Sequence, residues 1–501
     1  MRRRVLQAGI VVGALAVLAC GSACSKPAET PAQAAPPAPD AGKIPVTTSS
    51  EEARHEYLEG RSLAERLLAH DSIAHFDKAI ALDPVFGLAE LGRANAATSG
   101  ADFLDHLKKA VAAADKASPG EKLLILAANA GSSGQVAEQR AHLEKLVADY
   151  PQDERAHFAL GAFLFAQQDV KGAIEHYTKA NAIAPSYSAP YNLEGYAYRQ
   201  VGDYENAERS FKKYIELIPN DPNPYDSYGE LLLKMGRFDE SIVQYRKALA
   251  LDSNFLASHL GISAALMYGG KSADAASEMK EIARKARSDA DTRTAMFAET
   301  SLAVYTGKMQ DALTSLDGQF AVAEKGGDTL GMIGDLQAKA AIYIEMGRAA
   351  DGKAAGEKAL TIAEASRIPD AIKANVRLFE HNNLARVALA RKDLATAKKE
   401  SSTFAATALT SGNPGQARQA HELAGMIALQ EKQWDKAIAE LQQANQQNAY
   451  NHYRLALAWQ GKGDAAQAKA HAAAAAHFYP LPDLNFAFIH AKAAKVAGDA
   501  S

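Results

Sequence analysis

Residues 154–255 decide the fold of this chain, and they read ERAHFALGAFLFAQQDVKGAIEHYTKANAIAPSY (154–187), SAPYNLEGYAYRQVGDYENAERSFKKYIELIPND (188–221) and PNPYDSYGELLLKMGRFDESIVQYRKALALDSNF (222–255). One pattern recurs through these segments every 34 residues. Its positions are Gly161, Gly195 and Gly229, then Gln168, Gly202 and Gly236, then Ala173, Ala207 and Ser241, then Tyr177, Phe211 and Tyr245. A repeat of this length indicates stacked supersecondary units, each burying its apolar side against the next.

Each repeat is predicted to be a pair of antiparallel helices. In the third repeat, Tyr225, Tyr228 and Leu232 mark one face of a first helix at three- and four-residue spacing. Gly236 marks the turn to a second helix, and the small residues of the pattern let two helices approach closely. These residues resemble the tetratricopeptide repeat, whose pattern runs aromatic, Leu, Gly, Tyr, then Ala, an aromatic, Ala and Pro. The resemblance implies an all-α fold, an α-α superhelix (TPR solenoid) of about ten to twelve helical hairpins.

Length and charge support a repeat array and argue against nucleic-acid binding. A chain of 501 residues exceeds the size at which one compact core stops growing. The formal net charge is -4, and losing a segment that carries Arg2, Arg3 and Arg4 would make it three units more negative. Because nucleic-acid binding normally needs a basic stripe, a mildly acidic body points to other partners.

The N-terminal residues indicate export and a lipid anchor. Residues 1–19 have a basic start and a short apolar run, which is typical of a signal peptide. The run ends in Val17-Leu18-Ala19-Cys20, which looks like the lipobox of bacterial lipoproteins, so Cys20 is the predicted lipidation site. Cys24 is an alternative, and an ordinary secretory signal with two incidental cysteines stays open. Because Gly21 rather than Asp follows Cys20, the usual sorting rule favours the periplasmic face of the outer membrane.

Composition divides the rest of the chain into four parts. Residues 20–50 are rich in Pro, Ala and Thr and are predicted to form a tether. The N-terminal array is predicted over 51–289, and a divergent array with looser spacing over 290–482. Residues 483–501 are predicted to form a capping helix and tail that cover the end of the stack.

Motif searches support no catalytic residue, cofactor or metal site. Residues 25–501 contain no cysteine, which excludes disulfides and thiolate chemistry from the body. Gly269-Gly270-Lys271-Ser272 resembles the end of a phosphate-binding loop, but Ala265 stands where its first glycine is needed. The histidines show no metal-binding spacing and are predicted to be surface or packing residues.

The predicted function is to bind a protein or peptide partner in a concave groove lined by the first helices. The predicted groove residues are Arg155, Phe158, Phe165, Asn192, Tyr196, Arg199, Gln200, Asn223, Asp226, Glu230, Lys234 and Tyr268. Aromatic area combined with hydrogen-bonding groups suits an extended peptide or a helix, although the apolar members could equally be core. The chaperone-binding subclass of this family grips a carboxylate with Lys and Asn where this chain has Phe158 and Ala162, which puts that mode in doubt.

Two other functions stay open at this stage. One is a structural spacer in an envelope assembly. The other is an enzyme with a site in the divergent half, near residues 377–383 or His421-Glu422. Convergence of those polar residues in one pocket would favour the enzyme. The oligomeric state and the identity of the partner are not predicted.

Overall fold

The computed structural model describes residues 42–66, 68–97 and 100–499. This part of the chain is all-α, with 25 helices and no strand. The predicted signal peptide, Cys20, Cys24 and residues 25–41 lie outside the described residues. None of the described helices combines the length and apolarity needed to cross a membrane.

The helices follow one another as twelve helix–turn–helix pairs and a final single helix. In chain order, the bounds of the first thirteen helices are α1 Glu51–Glu65, α2 Ala69–Leu82, α3 Gly87–Asn95, α4 Gly100–Ala113, α5 Pro119–Ser132, α6 Val136–Asp149, α7 Glu154–Ala166, α8 Val170–Ile183, α9 Ser188–Gln200, α10 Tyr204–Leu217, α11 Pro222–Lys234, α12 Phe238–Leu251 and α13 Leu256–Tyr268. The others are α14 Ser272–Lys285, α15 Asp289–Tyr305, α16 Met309–Lys325, α17 Thr329–Glu345, α18 Ala349–Ala365, α19 Asp370–Ala390, α20 Leu394–Ala408, α21 Pro414–Gln430, α22 Trp434–Gln443, α23 Ala449–Lys462, α24 Ala465–Ala476 and α25 Leu484–Ala497. The odd-numbered helix of each pair is called the first helix below. The predicted solenoid of about ten to twelve hairpins is confirmed.

The chain divides into two compact units. Unit 1 contains the residues up to Leu231 together with Gln244–Ser258. Unit 2 contains Leu232–Val243 and the residues from His259 onward. The division runs through α11, α12 and α13.

Glycine and aromatic positions of the 34-residue pattern meet inside each hairpin. A Cβ atom on Gly161 would lie 2.8 Å from the ring of Tyr177, and one on Gly195 would lie 2.8 Å from Phe211. Gly229 stands in the same relation to Tyr245, at 3.0 Å. The rings of Tyr177, Phe211 and Tyr245, which lie on the second helices, are buried, with 0%, 0% and 1% of their surface exposed. The pattern therefore predicts this contact correctly: glycine leaves the room that the aromatic ring of the partner helix fills.

The helix starts of the three strongest repeats can be compared with the 34-residue segments. The first helices of the three strongest repeats begin at Glu154, Ser188 and Pro222, where the sequence pattern places them. The hairpin turns carry a left-handed residue, Gly202 at φ 81° and Gly236 at φ 73°, and in the first of these repeats Gln168 adopts φ 67°. Such a conformation favours glycine, so Gln168 is the exception among these turns.

The looser spacing of the divergent half comes from longer helices. The helices α15, α16, α17 and α18 each have 17 residues, and α19 has 21, compared with 13 or 14 in the strongest repeats. Gly307, Gly347, Asp393 and Gly463 lie between the two helices of a pair, and Trp434 is the first residue of α22.

Both ends of the described chain differ in detail from the sequence-based expectation. Helix α1 begins at Glu51 as predicted, but residues 43–50, which the sequence assigns to the tether, are hydrogen-bonded to the repeats. The predicted capping helix is α25, and it packs on α24 at the end of the stack. It also packs on α15 and α23, so it covers more of unit 2 than its last hairpin.

Candidate functional site

In unit 1, three predicted groove residues form one polar contact between successive first helices. Tyr196 and Arg199 lie on α9, and Glu230 lies on α11. The Tyr196 hydroxyl donates to Glu230 Oε2 at 3.0 Å, and Arg199 Nη1 donates to Glu230 Oε1 at 2.6 Å. The Arg199 guanidinium also lies 4.7 Å from the centre of the Tyr196 ring. These residues therefore hold one repeat against the next, and Arg199 keeps 23% of its side chain exposed.

Three further groove residues are buried polar groups. Asn223 Oδ1 accepts a hydrogen bond from the Tyr214 hydroxyl at 3.1 Å. Asp226 accepts one from Ser258 Oγ at 2.7 Å, and burial raises the pKa of this carboxyl to about 7. Asn192 is 4% exposed, and its Oδ1 atom has no hydrogen-bond partner. The expectation that these three side chains face an open groove does not match their burial.

The remaining predicted residues of unit 1 are half-buried. Arg155 Nε donates to Glu65 Oε1 at 2.8 Å, and its guanidinium lies 5.0 Å from the centre of the Tyr187 ring. The Phe158 ring meets Tyr187 edge to face at 5.6 Å. Phe165 packs at the border of the core, and Gln200 Nε2 donates to Gln168 Oε1 at 2.9 Å. Phe165, Arg199 and Gln200 share a location, since they lie at the C-terminal ends of α7 and α9.

In unit 2, the two predicted residues bind a part of the chain itself, which we call the C-terminal segment (residues 478–497). Lys234 Nζ donates to the Phe478 carbonyl at 2.6 Å and lies 3.2 Å from the centre of the Phe478 ring. The Tyr268 hydroxyl donates to the Pro480 carbonyl at 2.7 Å. Backbone carbonyls accept both hydrogen bonds, so these two bonds do not depend on the side chains at those positions, whereas the contact of Lys234 with the Phe478 ring does.

The same row of contacts continues along two more first helices. The ring of Tyr305 stacks on His490 at 3.7 Å, and Lys492 Nζ donates to Glu345 Oε2 at 3.0 Å. Lys234, Tyr268, Tyr305 and Glu345 are the last residues of α11, α13, α15 and α17. The C-terminal segment therefore runs along the C-terminal ends of four successive first helices.

An apolar face of α25 completes this interaction. Phe486 and Ile489 are 1% and 0% exposed, and they belong to one cluster with Leu316 and Ile342. Tyr268 meets Phe486 edge to face at 5.1 Å. Tyr479 adopts φ 40°, a conformation that is unfavourable for a bulky residue and persists only where surrounding contacts impose it.

In unit 1, residues 43–50, which we call the N-terminal segment, contact three carboxylates. The Ile44 N–H donates to Asp153 Oδ2 at 2.8 Å, and the Thr47 N–H donates to Glu121 Oε1 at 2.7 Å. Thr48 Oγ1 donates to Asp83 Oδ2 at 2.6 Å. Asp83 lies in the turn between α2 and α3, whereas Glu121 and Asp153 lie at the beginnings of α5 and α7. We call these three residues the carboxylate row. Sequence analysis missed it, although Asp153 and Asp221 recur two repeat lengths apart at the same position.

Among the polar residues considered for an enzymatic site, Asn382 and Glu422 meet at Arg386, whose Nε donates to Asn382 Oδ1 at 2.9 Å, and the others pair separately. Arg377 pairs with Glu364 in an exposed contact, whereas His381 pairs with Glu400 and His421 with Glu440. Glu422 is buried and accepts from Arg386 at 2.5 Å and from Arg454 at 2.8 Å. Although burial alone would raise the pKa of Glu422, the two guanidinium groups lower it to about 2. These residues serve contacts within and between hairpins.

Histidine pairing within hairpins was also missed. The pairs His157–His176, His259–Glu278, His381–Glu400 and His421–Glu440 each join a first helix to its second helix at a separation of 19 residues. A search for polar pairs at that separation would have found them. Among the described residues, no group of three or more potential ligands could hold a metal ion. Gly269–Ser272 forms the turn between α13 and α14, where Lys271 pairs with Asp239 at 3.4 Å.

Comparison with known proteins gives matches to part of the chain. The family model for the tetratricopeptide repeat matches residues 189–221 and 223–255. The Small glutamine-rich tetratricopeptide repeat-containing protein 2 of Mycosarcoma maydis is 27% identical over 94 residues, which are 19% of this chain and 27% of that protein. The Hsp70-Hsp90 organizing protein 1 of Glycine max is 26% identical over 117 residues, which are 23% of this chain and 19% of that protein.

One matched relative is an enzyme, and solved structures also match in part. The UDP-N-acetylglucosamine–peptide N-acetylglucosaminyltransferase of Giardia intestinalis is 24% identical over 120 residues, which are 24% of this chain and only 8% of the enzyme. The chain thus spans well under two thirds of these relatives. The crystal structure of MamA is similar with 18% identity and a TM-score of 0.30, covering 33% of this chain and 91% of MamA. A thermophilic TPR protein of Thermus thermophilus is similar with 19% identity and a TM-score of 0.29, covering 43% of this chain and 99% of that protein.

Proposed function

We propose that this chain, which contains tetratricopeptide repeats, is a non-enzymatic scaffold that holds a polypeptide partner on the C-terminal ends of its first helices. Proteins built from these repeats generally mediate protein–protein interaction. The observation that carries the proposal is the contact made by the C-terminal segment in unit 2. There, Lys234 and Tyr268 bind backbone carbonyls while aromatic rings supply contact area. That combination is the one that suits the recognition of peptides and helices.

Unit 1 offers the same kinds of groups at the corresponding places. Arg199 and Gln200 end α9 as Lys234 ends α11, and Phe165 lies near the end of α7. The Arg199 guanidinium is fixed by Glu230 and by the Tyr196 ring, so little rotamer freedom is lost when a partner binds it. All three side chains are half-exposed. We therefore place the partner of unit 1 on Phe165, Arg199 and Gln200.

A photo-crosslinking experiment tests this placement. A photoreactive amino acid at Gln200 in the full chain should give an adduct with a specific partner in the producing cells. Arg199→Glu should weaken that adduct about tenfold, the effect of losing roughly 1.4 kcal/mol of binding. The matched control is Lys212→Glu, the same change of charge on α10, where Lys212 pairs with Glu208. Equal adduct yields from both variants would overturn the proposal and favour a spacer that has no binding surface here.

We also propose that the scaffold is exported and lipid-anchored through Cys20 on the periplasmic face of the outer membrane. The support is the sequence Val17-Leu18-Ala19-Cys20 with Gly21 after it. Metabolic labelling with an alkyne-bearing fatty acid should mark the wild type and a Cys24→Ser variant. It should not mark Cys20→Ser. If Cys24→Ser rather than Cys20→Ser abolished the labelling, Cys24 would be the lipidated residue. If the wild type were not labelled, the proposed lipid anchor would be rejected.

A further inference from the structure

Each residue of the carboxylate row uses its two oxygens for different purposes. Asp153 Oδ1 accepts the backbone N–H groups of Arg155 and Ala156 at 2.9 and 2.8 Å, which caps α7. Its Oδ2 accepts the Ile44 N–H of the N-terminal segment. Glu121 divides in the same way, since Oε2 accepts the Ser118 N–H at 2.7 Å and Oε1 accepts the Thr47 N–H.

Asp83 repeats this division in the turn between α2 and α3. Its Oδ1 accepts the Val85 N–H of that turn at 3.2 Å, and its Oδ2 accepts from Thr48 and Ser49. Helix capping by Asp153 and Glu121 and the turn contact of Asp83 hold the three carboxylates in place. The three residues are at most 6% exposed, and a buried carboxylate oxygen without a donor is costly. With residues 43–50 in place, each outer oxygen of the row has its donor.

The spacing of the row fits an extended polypeptide. Ile44 and Thr47 donate to carboxylates of neighbouring hairpins. Three extended residues span about 10 Å, and packed helices lie about 8–10 Å apart, so the step from Ile44 to Thr47 matches the step from one hairpin to the next. The contact with Asp83 follows directly, at Thr48 and Ser49. Backbone N–H groups make these contacts, and every polypeptide without proline at those positions carries them.

Side chains add selectivity at three points. Ile44 Cγ2 would lie 3.1 Å from a Cβ atom on Gly120, so the absence of a side chain at Gly120 makes room for it beside the ring of Tyr150. Val46 packs against the separate cluster that contains Tyr57 and Phe76. The ammonium group of Lys43 pairs with Glu154. The row therefore selects a cation followed by two aliphatic residues that are two positions apart.

We propose that the carboxylate row is a binding site for an extended peptide segment supplied by a partner protein, and that residues 43–50 occupy it in cis. The partner segment has the pattern Lys or Arg, aliphatic, any residue, aliphatic, with free N–H groups at the first aliphatic position and three residues later. Residues 43–50 can detach from the row, because only two of their aliphatic side chains pack against the repeats and their other contacts are polar. This inference rests on the proposed scaffold function, to which it adds the chemical class of a second partner.

The test uses the full chain and a labelled peptide. The double change Ile44→Asp and Val46→Asp should release the N-terminal segment, because it places two charges in apolar surroundings. The probe is a fluorescein-labelled peptide with the sequence of residues 42–50. Fluorescence polarisation should show at least about tenfold tighter binding to the released variant than to the wild type, in which the cis segment competes. Circular dichroism checks that the released variant is folded, and Lys43→Glu is a milder releasing change.

Two controls connect binding to the carboxylate row. A peptide methylated on the backbone nitrogens of the Ile44 and Thr47 positions lacks both hydrogen-bond donors, and its affinity should fall by about tenfold or more. Asp153→Asn in the released variant keeps a helix cap while removing a charge, and it should also weaken binding. Equal binding of the methylated peptide, or no binding to the released variants, would overturn the inference.

Other outcomes separate this inference from the scaffold proposal. A wild-type dimer that the Ile44→Asp and Val46→Asp changes dissolve would identify a second copy of the chain as the occupant, which overturns the assignment of a separate partner. If the peptide bound but no adduct formed at Gln200 in cells, the binding site at the carboxylate row would be supported and the proposed partner surface at α7 and α9 rejected. If an adduct formed at Gln200 but the peptide did not bind, the partner surface would be supported and the binding site at the carboxylate row rejected.

Discussion

The ring of Tyr305, the last residue of α15, lies parallel to the ring of His490 on α25, with an interplanar angle of 8° and 3.7 Å between the ring centres. The two residues are 185 positions apart in the sequence. This stacking fixes the middle of the C-terminal segment to the end of a first helix. The neighbouring Phe486 also contacts Tyr305, at 6.3 Å, so His490 extends an aromatic group that anchors α25.

Replacing His490 should loosen the C-terminal segment. His490→Ala removes the stacked ring, and we expect it to lower the free energy of unfolding by about 1–2 kcal/mol, the scale of an aromatic pair with its buried area. Urea unfolding measures the change, and limited proteolysis between residues 477 and 483 should become faster. The control is His477→Ala, because the side chain of His477 is 51% exposed and pairs with Asp499 on the surface. Equal effects of the two changes would contradict a specific role for the stacking.

The pair His157–His176 should make unit 1 less stable in mild acid. The two Nδ1 atoms are 2.9 Å apart, and His157 Nε2 lies 3.1 Å from the Pro151 carbonyl, an arrangement that suits two neutral rings. Burial lowers the pKa of both residues, and His157 also lowers that of His176. The unfolded chain therefore binds more protons near the ordinary histidine pKa. The stabilising contribution is present above about pH 6.5 and is lost as the pH falls through that value.

A single substitution should reverse this pH dependence. Three other hairpins have glutamate where this one has His176, namely Glu278, Glu400 and Glu440. His176→Glu recreates such a pair, and a carboxylate beside His157 raises the pKa of that imidazole. The added stability is then present below about pH 6.5 and is lost as the pH rises through the raised pKa. Melting temperatures at about pH 7.5 and 5.5 measure both proteins. A wild type whose melting temperature is the same at both values would contradict this account.

The fold could be predicted from sequence because its contacts are local and periodic. Gly195 and Phe211 belong to one hairpin and recur with the 34-residue pattern, so their contact can be inferred from the spacing alone. The site residues follow a different rule. Arg199 and Glu230 were correctly placed on first helices, yet the sequence did not show that they bind each other. Charged residues such as these occur both in ion pairs between repeats and on the surface of a groove that faces solvent, so the residue types alone do not distinguish the two.

Contacts made by the ends of the chain could not be predicted in the same way. Ile44 meets Asp153 at a separation of 109 residues, and Lys234 meets Phe478 at a separation of 244. Neither contact has a periodic partner, because each terminal segment occurs once. Sequence periodicity therefore identifies surfaces that the repeats share, but not the terminal segments that lie on them.

Glu422 should be the most sensitive acidic residue of unit 2. Glu422→Gln leaves Arg386 and Arg454 without a counter-ion, and Arg454 is 6% exposed. We expect a loss of about 3–5 kcal/mol in the free energy of unfolding, as is typical when one partner of a buried ion pair is removed. Since the pKa of Glu422 is lowered to about 2, its contribution is present above about pH 4.5 and is lost as the pH falls towards 2.

The matched control for Glu422 is Glu440→Gln, because Glu440 pairs with His421 and keeps 26% of its side chain exposed. That change should cost at most about 1 kcal/mol, as exposed pairs do. Urea unfolding at neutral pH compares the two variants. A cost for Glu422→Gln as small as that of the control would mean that the two arginines find other partners.

Glycine should be required where an aromatic ring faces it across the hairpin. A Cβ atom at Gly195 would lie 2.8 Å from two atoms of the Phe211 ring and 2.9 Å from a third, and the ring is buried among both helices. Gly195→Ala should therefore cost about 1–3 kcal/mol, because the ring must shift in a packed interior. Gly334, in the exposed middle of α17, has no atom within 4 Å of the added Cβ. Gly334→Ala should instead stabilise by up to about 1 kcal/mol through helix propensity. Urea unfolding of both variants measures the difference. If Gly195→Ala also increased the free energy of unfolding, helix propensity would outweigh the fit between glycine and ring.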